Sequence, residues 1–143
     1  MAREKVALRI KESVCREIIG SLGGGANETG GILGRKGSLI CRFQADKGEE
    51  SCPCFYRPNV DFLNEVLDIW EEEGIVFCGV VHSHPDGSPL LSPADLRYAQ
   101  AVVQAMPDIS PILFPLVTKS EGEIDIAFFD MTDGGKRIEP ERV

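Results

Sequence analysis

The chain holds two histidines, and they stand at alternate positions in His82-Ser83-His84. They follow Ile75-Val76-Phe77-Cys78-Gly79-Val80-Val81, the most apolar run of the sequence, whose β-branched content predicts a buried central strand. Where the chain leaves that strand still extended, residues i and i+2 point the same way, so both imidazoles can be presented to one point. Neutral imidazole is a zinc ligand, and this spacing in a chain with no other histidine favours a metal site over two unrelated side chains. A third ligand is available in Asp95, eleven residues beyond His84. Its segment has a second reading. Ser92-Pro93-Ala94-Asp95 is also a helix start, with Ser as N-cap, Pro at the first helical position and an acid at the third, as in a capping box. The two readings compete for the Asp95 carboxylate, whereas Ser92 can cap a helix and still face a pocket.

Two His and one Asp leave the fourth tetrahedral position of a zinc ion to water, the mark of a catalytic rather than a structural site. Such an ion lowers the pKa of its water toward ~7 and polarises a bound carbonyl. Hydrolysis of an amide also needs a carboxylate that takes the water's proton and passes it to the leaving amine. Glu28 is a candidate: it precedes Thr29-Gly30-Gly31-Ile32-Leu33-Gly34, a strand start whose glycines permit close backbone approach. Other chemistries lack their parts. The glycine clusters match neither a Walker loop nor a dinucleotide fingerprint, and no Ser or Cys nucleophile has a distant histidine partner. Zinc deaminases place their Glu two residues after the His and add a Cys-x-x-Cys pair, neither of which is present.

Seven residues separate His84 from Ser92 and ten separate it from Asp95, and this pattern resembles the JAMM (MPN+) motif of the JAB-domain metalloproteases. The segment from Glu28 to Gly34 is similar to the Glu-bearing segment of the same family, and the order of elements fits over roughly residues 5–130. The resemblance implies zinc ligands at His82, His84 and Asp95, a general acid/base at Glu28, and at Ser92 a hydrogen-bond donor to the oxyanion. It also implies an α+β domain of JAB/MPN-like, cytidine-deaminase-like architecture. The activity implied is hydrolysis of a peptide or isopeptide bond after the C-terminal Gly-Gly of a ubiquitin-like protein. A short chain with no large insertion looks like the small stand-alone prokaryotic members, processors of ubiquitin-like sulfur carriers. The rival reading is an inactive MPN-type scaffold that binds a ubiquitin-like partner, against which stands a motif filled at every position.

The elements that must position these residues are legible in outline. Val6–Ile10 reads as a first strand, and Val14, Cys15, Ile18, Ile19 and Leu22 recur at helical spacing before Gly23-Gly24-Gly25. Strands are expected at Ile32–Leu33 and Leu39–Phe43 around the turn 35–38, with a loop from Asp46 to Asn59. A second helix spans Val60–Glu73, with Leu63, Val66, Leu67 and Trp70 facing inward and Asp61, Glu65, Asp68 and Glu72 outward. A third helix runs from Pro93 to Met106, burying Leu96, Ala99, Val103 and Met106. Strands at Ile112–Val117 and Ile124–Phe129 complete an α+β domain of about six strands and three helices, with residues 131–143 as a polar tail.

At 143 residues the chain is sized for one domain, spanning residues 1–143, and 43% apolar with 27% charged residues describes a soluble globular protein. A net charge of −8 argues against nucleic acid as a partner. Most of that charge lies in segment 46–73, which reads as a solvated face and, less simply, as a docking surface for a basic partner. The longest uncharged stretch, Gly74–Pro85, is too short to span a membrane. No signal peptide is visible, and five cysteines are an odd number without a disulfide framework, so a cytoplasmic location is expected. Cys52-Pro53-Cys54 lacks the matching pair that a second metal site would need.

Overall fold

The computed structural model describes residues 7–22, 29–46, 51–52, 55–56, 59–84, 87–88 and 90–143. Glu28 and Cys54 lie outside the described residues, and Cys52 contributes its backbone alone.

The spine of the molecule is a mixed eight-stranded sheet in the order β10-β1-β3-β2-β6-β7-β8-β9. Its strands are β1 (Arg9–Ile10), β2 (Gly30–Lys36), β3 (Leu39–Asp46), β6 (Val76–His84), β7 (Leu116–Ser120), β8 (Glu123–Asp130), β9 (Lys136–Ile138) and β10 (Glu141–Arg142). A separate hairpin, β4 (Ser51–Cys52) with β5 (Phe55–Tyr56), stands where the sequence reads as a loop. The domain is α+β, as expected, but the sheet has eight strands rather than about six. The two additional edge strands, β9 and β10, come from the segment that reads as an uninformative tail. Because only Glu139 and Pro140 separate them, and they occupy opposite edges, the sheet must curl until its edges nearly meet.

Each helix buries one stripe. Helix α1 (Glu12–Leu22) lays Val14, Cys15, Ile18 and Leu22 against one face of the sheet, on Leu33, Ile40, Val81 and Val117. Helix α2 (Val60–Glu72) turns Leu63, Val66 and Trp70 to the other face, onto Ile32, Val80 and Phe77, and leaves Asp61, Glu65, Asp68 and Glu72 exposed. Helix α3 (Pro93–Ala105) shares that second face, but with a thinner stripe than its sequence implies. Ala99 is buried and Val103 and Met106 are half-buried, whereas Leu96 is 40% exposed. The reason is position: Leu96 lies in the first turn, at the open end of the sheet.

Strand β6 is central and buried from Phe77 onward. It pairs antiparallel with β2 and parallel with β7, the parallel pair being joined through α3. It also runs further than its hydrophobicity predicts. His82, Ser83 and His84 pair with Leu116, Val117 and Thr118 of β7, so the histidines end the strand instead of following it. Backbone pairing on both sides carries the strand through three polar residues that no apolar pattern marks. Two glycines allow the strands to pack this closely. A Cβ on Gly79 would stand 2.6 Å from the Leu113 carbonyl oxygen, and one on Gly31 would collide with the Gln44 carbonyl and the Phe43 ring.

Candidate metal centre

Because His82 and His84 lie two residues apart on one strand, their rings share a face, and their centroids are 5.0 Å apart. That face is the one covered by α3. The helix starts at Ser92, whose Oγ accepts the Asp95 amide at 3.1 Å, while Asp95 Oδ2 accepts the Ser92 amide at 2.8 Å. The capping box read from the sequence is therefore complete. It does not exclude Asp95 from the histidines. Oδ2 also lies 3.0 Å from His84 Nε2 and 3.3 Å from His82 Nε2. Ligand atoms of His82, His84 and Asp95 all fall within 4.8 Å of one another.

The protonation of this cluster follows from its hydrogen bonds. His84 Nδ1 is 3.2 Å from the Ser88 carbonyl oxygen, which can only accept, so Nδ1 carries the proton. In the neutral ring Nε2 is then a lone pair, and it faces a carboxylate oxygen. Two electron-rich atoms at 3.0 Å require a positive species between them: a proton on the imidazole, or a cation. His82 Nε2 is 3.3 Å from Oδ2 but badly aligned for a hydrogen bond, and it is buried with no hydrogen-bond partner among the described residues. A buried, orphaned ring nitrogen is costly unless something else takes its lone pair. Tetrahedral zinc with bonds of ~2.0–2.1 Å holds neighbouring ligand atoms about 3.3 Å apart, close to the 3.0 and 3.3 Å that separate Asp95 Oδ2 from the two imidazole nitrogens. By donor type, spacing and orphaned lone pair, the three residues fit a zinc ion.

Burial pushes the Asp95 carboxyl up, but the adjoining imidazoles of His82 and His84 and the Ser92 amide outweigh it and hold the group well below the usual carboxylate range. Asp95 also sits in the first turn of α3, where the helix dipole favours a negative charge. It is thus ionised near neutral pH and available to a cation. The back of the cradle is aromatic. Phe114, 1% exposed, meets the His82 ring edge to face at 6.3 Å and the Tyr98 ring at 5.8 Å, so the imidazole is walled in from behind.

The five residues singled out in the sequence divide cleanly. His82, His84 and Asp95 converge. Ser92 lies one helical turn from Asp95, and its Oγ accepts a bond while retaining its own proton for donation. Glu28 lies outside the described residues, one position before Thr29. The sequence reading missed the Ser88 carbonyl, which sets the His84 tautomer, and Phe114, which backs His82. No side-chain pattern marks a carbonyl, and Phe114 reads as one more core residue of Ile112–Val117.

The profile of the prokaryotic homologues of the JAB domain matches residues 4–129. No curated protein matches the sequence. Among solved structures, the chain is similar to a protein from Desulfitobacterium hafniense determined in solution, with 17% identity and a TM-score of 0.69, covering 95% of this chain and 91% of that one. It is also similar to a JAB1/MPN domain protein from Archaeoglobus fulgidus, with 15% identity and a TM-score of 0.58 over 97% of this chain and 100% of the other. A third structure, described as a metalloprotease-like zinc site in the proteasome and signalosome, gives 15% identity and a TM-score of 0.59, covering 96% and 99%. At these identities the structural likeness establishes the fold.

Proposed function

This chain belongs to the family of prokaryotic homologues of the JAB domain, and from that premise we propose that it is a zinc-dependent hydrolase. It cleaves a peptide or isopeptide bond after the C-terminal Gly-Gly of a ubiquitin-like or sulfur-carrier protein. The observation that carries the reading is the cradle itself: two imidazole nitrogens and one carboxylate oxygen, brought to one point from the end of β6 and the first turn of α3.

His82, His84 and Asp95 would hold the ion. Zinc so bound supplies a Lewis acid that activates water and polarises the scissile carbonyl. The chain's own groups do the rest. Ser92 Oγ, fixed by its bond from the Asp95 amide, has its proton free to donate to the oxygen that becomes negative. Glu28 takes the proton of the attacking water and returns it to the leaving amine. The Ser88 carbonyl keeps His84 in the tautomer that presents Nε2 to the cradle. A Gly-Gly tail suits such a site because it can lie extended against strand backbone with no side chains to accommodate. No helix among the described residues is long and apolar enough to cross a membrane.

The test begins with the metal content of the untagged protein, followed by cleavage of a ubiquitin-like probe extended beyond its Gly-Gly. One zinc per chain, kept in Glu28→Ala and lost in His84→Ala, with cleavage abolished in both, is the expected result. Absence of zinc in the parent overturns the reading. Zinc without cleavage of any Gly-Gly-tailed probe moves the chain to the scaffold class.

A further inference from the structure

The chain beyond β6 closes back on His84 at two points. The Gly87 amide donates to the His84 carbonyl at 3.0 Å, and the carbonyl of the next residue, Ser88, accepts from His84 Nδ1 at 3.2 Å. Two consecutive residues thus hold the main chain and the ring of one candidate ligand. Gly87 has a φ of +79°, a left-handed conformation that residues with a Cβ rarely adopt. Space gives a second, independent reason for glycine. A Cβ at this position would lie 3.0 Å from the Lys119 carbonyl oxygen, closer than ordinary van der Waals contact. Lys119 follows Thr118, the residue of β7 that pairs with His84, so Gly87 is fitted against the strand beside the one the chain has just left.

We propose that Gly87 is a positioning residue for the metal centre: its left-handed backbone, fitted against β7, sets the Ser88 carbonyl where it holds the proton on His84 Nδ1. The consequence is chemical. A neutral imidazole carries one proton on either nitrogen, and only the ring protonated at Nδ1 offers the Nε2 lone pair to a cation. Without an acceptor fixed beside Nδ1, the proton can move to Nε2, where the Asp95 carboxylate oxygen at 3.0 Å accepts it. Metal binding then has to displace that proton and break that bond. A larger residue at position 87 must either leave the left-handed region, which turns the Ser88 carbonyl away, or push the Lys119 backbone aside. A hydrogen-bond partner of this kind to a ligating imidazole is worth about 10–100-fold in metal affinity. The inference rests on the zinc reading above, because it assigns His84 to the metal.

The test compares Gly87→Ala, Gly87→Asn and Gly37→Ala in the full chain. Gly37 is the control: it too has a positive φ, +57°, but nothing stands near its Cβ position, and it follows the end of β2 remote from the cradle. One readout is zinc affinity by calorimetric titration. The other is the nitrogen-15 NMR spectrum of the imidazole rings in the metal-free protein at alkaline pH, where the rings are neutral and the two tautomers give separate signals. With two histidines in the chain, that spectrum is simple. Gly87→Ala is expected to weaken zinc binding at least about tenfold and to move His84 from the Nδ1–H form toward the Nε2–H form. Gly87→Asn, whose side chain tolerates the left-handed region better, should lose less on both counts. Gly37→Ala should keep the tautomer and hold affinity within about twofold. An unmoved tautomer or an unchanged affinity in Gly87→Ala overturns the proposal. So does an equal loss of affinity in Gly37→Ala, which would make the effect one of general strain. If Gly87→Ala does not fold, Gly87→Asn is judged by the same criteria. A parent that binds zinc but cleaves no Gly-Gly-extended probe defeats the hydrolase reading alone; the ring signals and the affinity then decide the role of Gly87. A parent that binds no zinc overturns both.

Discussion

Asp95 and His84, eleven residues apart in the chain, meet at 3.0 Å between Oδ2 and Nε2, and that same oxygen closes the helix cap by accepting the Ser92 amide at 2.8 Å. One carboxylate thus starts α3 and completes the cradle. The two roles are compatible because a carboxylate offers about four lone-pair sites, and because the cap already aims the group out of the helix end toward β6. The cap fixes the rotamer that the metal site needs.

Separating the two roles is the first prediction. Asp95→Asn keeps an oxygen for the Ser92 amide but loses the charge. It should cost the metal-free protein near neutral pH the stabilisation that the ionised carboxylate supplies beside the imidazoles, while weakening zinc affinity by at least about tenfold. Asp95→Ala should lose affinity and also cost about 1 kcal/mol through the cap. Calorimetric zinc titration beside thermal unfolding reads both. Equal affinity in Asp95→Asn would remove Asp95 from the ligand set.

The pH dependence of stability has an acid limb and an alkaline limb. Asp95 is held below its unfolded value of ~3.9, so in that window the unfolded chain binds more protons. Its contribution is present above about pH 4 and is lost as the pH falls further. On the alkaline side, burial pushes the Cys78 thiol up to about 12. Its contribution is therefore complete below the unfolded value of ~8.5 and is lost as the pH rises toward 12. Denaturant unfolding of the metal-free protein across pH should show the acid limb flattened in Asp95→Asn and the alkaline limb flattened in Cys78→Ala.

Phe114 touches both core and site. Removing a ring that is 1% exposed should cost about 3–5 kcal/mol in Phe114→Ala. Phe114→Leu should cost less, yet still loosen the wall behind His82 and weaken zinc binding severalfold. Affinity unchanged in Phe114→Leu would show that His82 is held by its strand alone.

Gly31 provides a test of the packing next to the site. A methyl group there would collide with the Gln44 carbonyl and Phe43, so β2 and β3 would have to shift. Gly31→Ala should destabilise by about 1–3 kcal/mol. Gly20 has open space around its Cβ position, so Gly20→Ala within α1 should instead stabilise by about 0.5–1 kcal/mol.

The sequence by itself determined the candidate metal-ligating set: two histidines at strand spacing, an acid at a helix start, and the offsets between them, which resemble one family's motif. It also determined the helical stripes of α1 and α2, where burial of large apolar side chains drives the structure and leaves a periodic trace. What it left open is what backbone geometry decides. Strands β9 and β10 are mostly exposed, so they carry no hydrophobic alternation; main-chain pairing with β8 and β1 makes them strands. The last three residues of β6 are polar and join the strand for the same reason. Whether Asp95 caps a helix or meets the histidines could not be read from spacing, since both readings place Ser92 and Asp95 at the same positions. Only the crossing of α3 over the end of β6 decided it, and the answer was both.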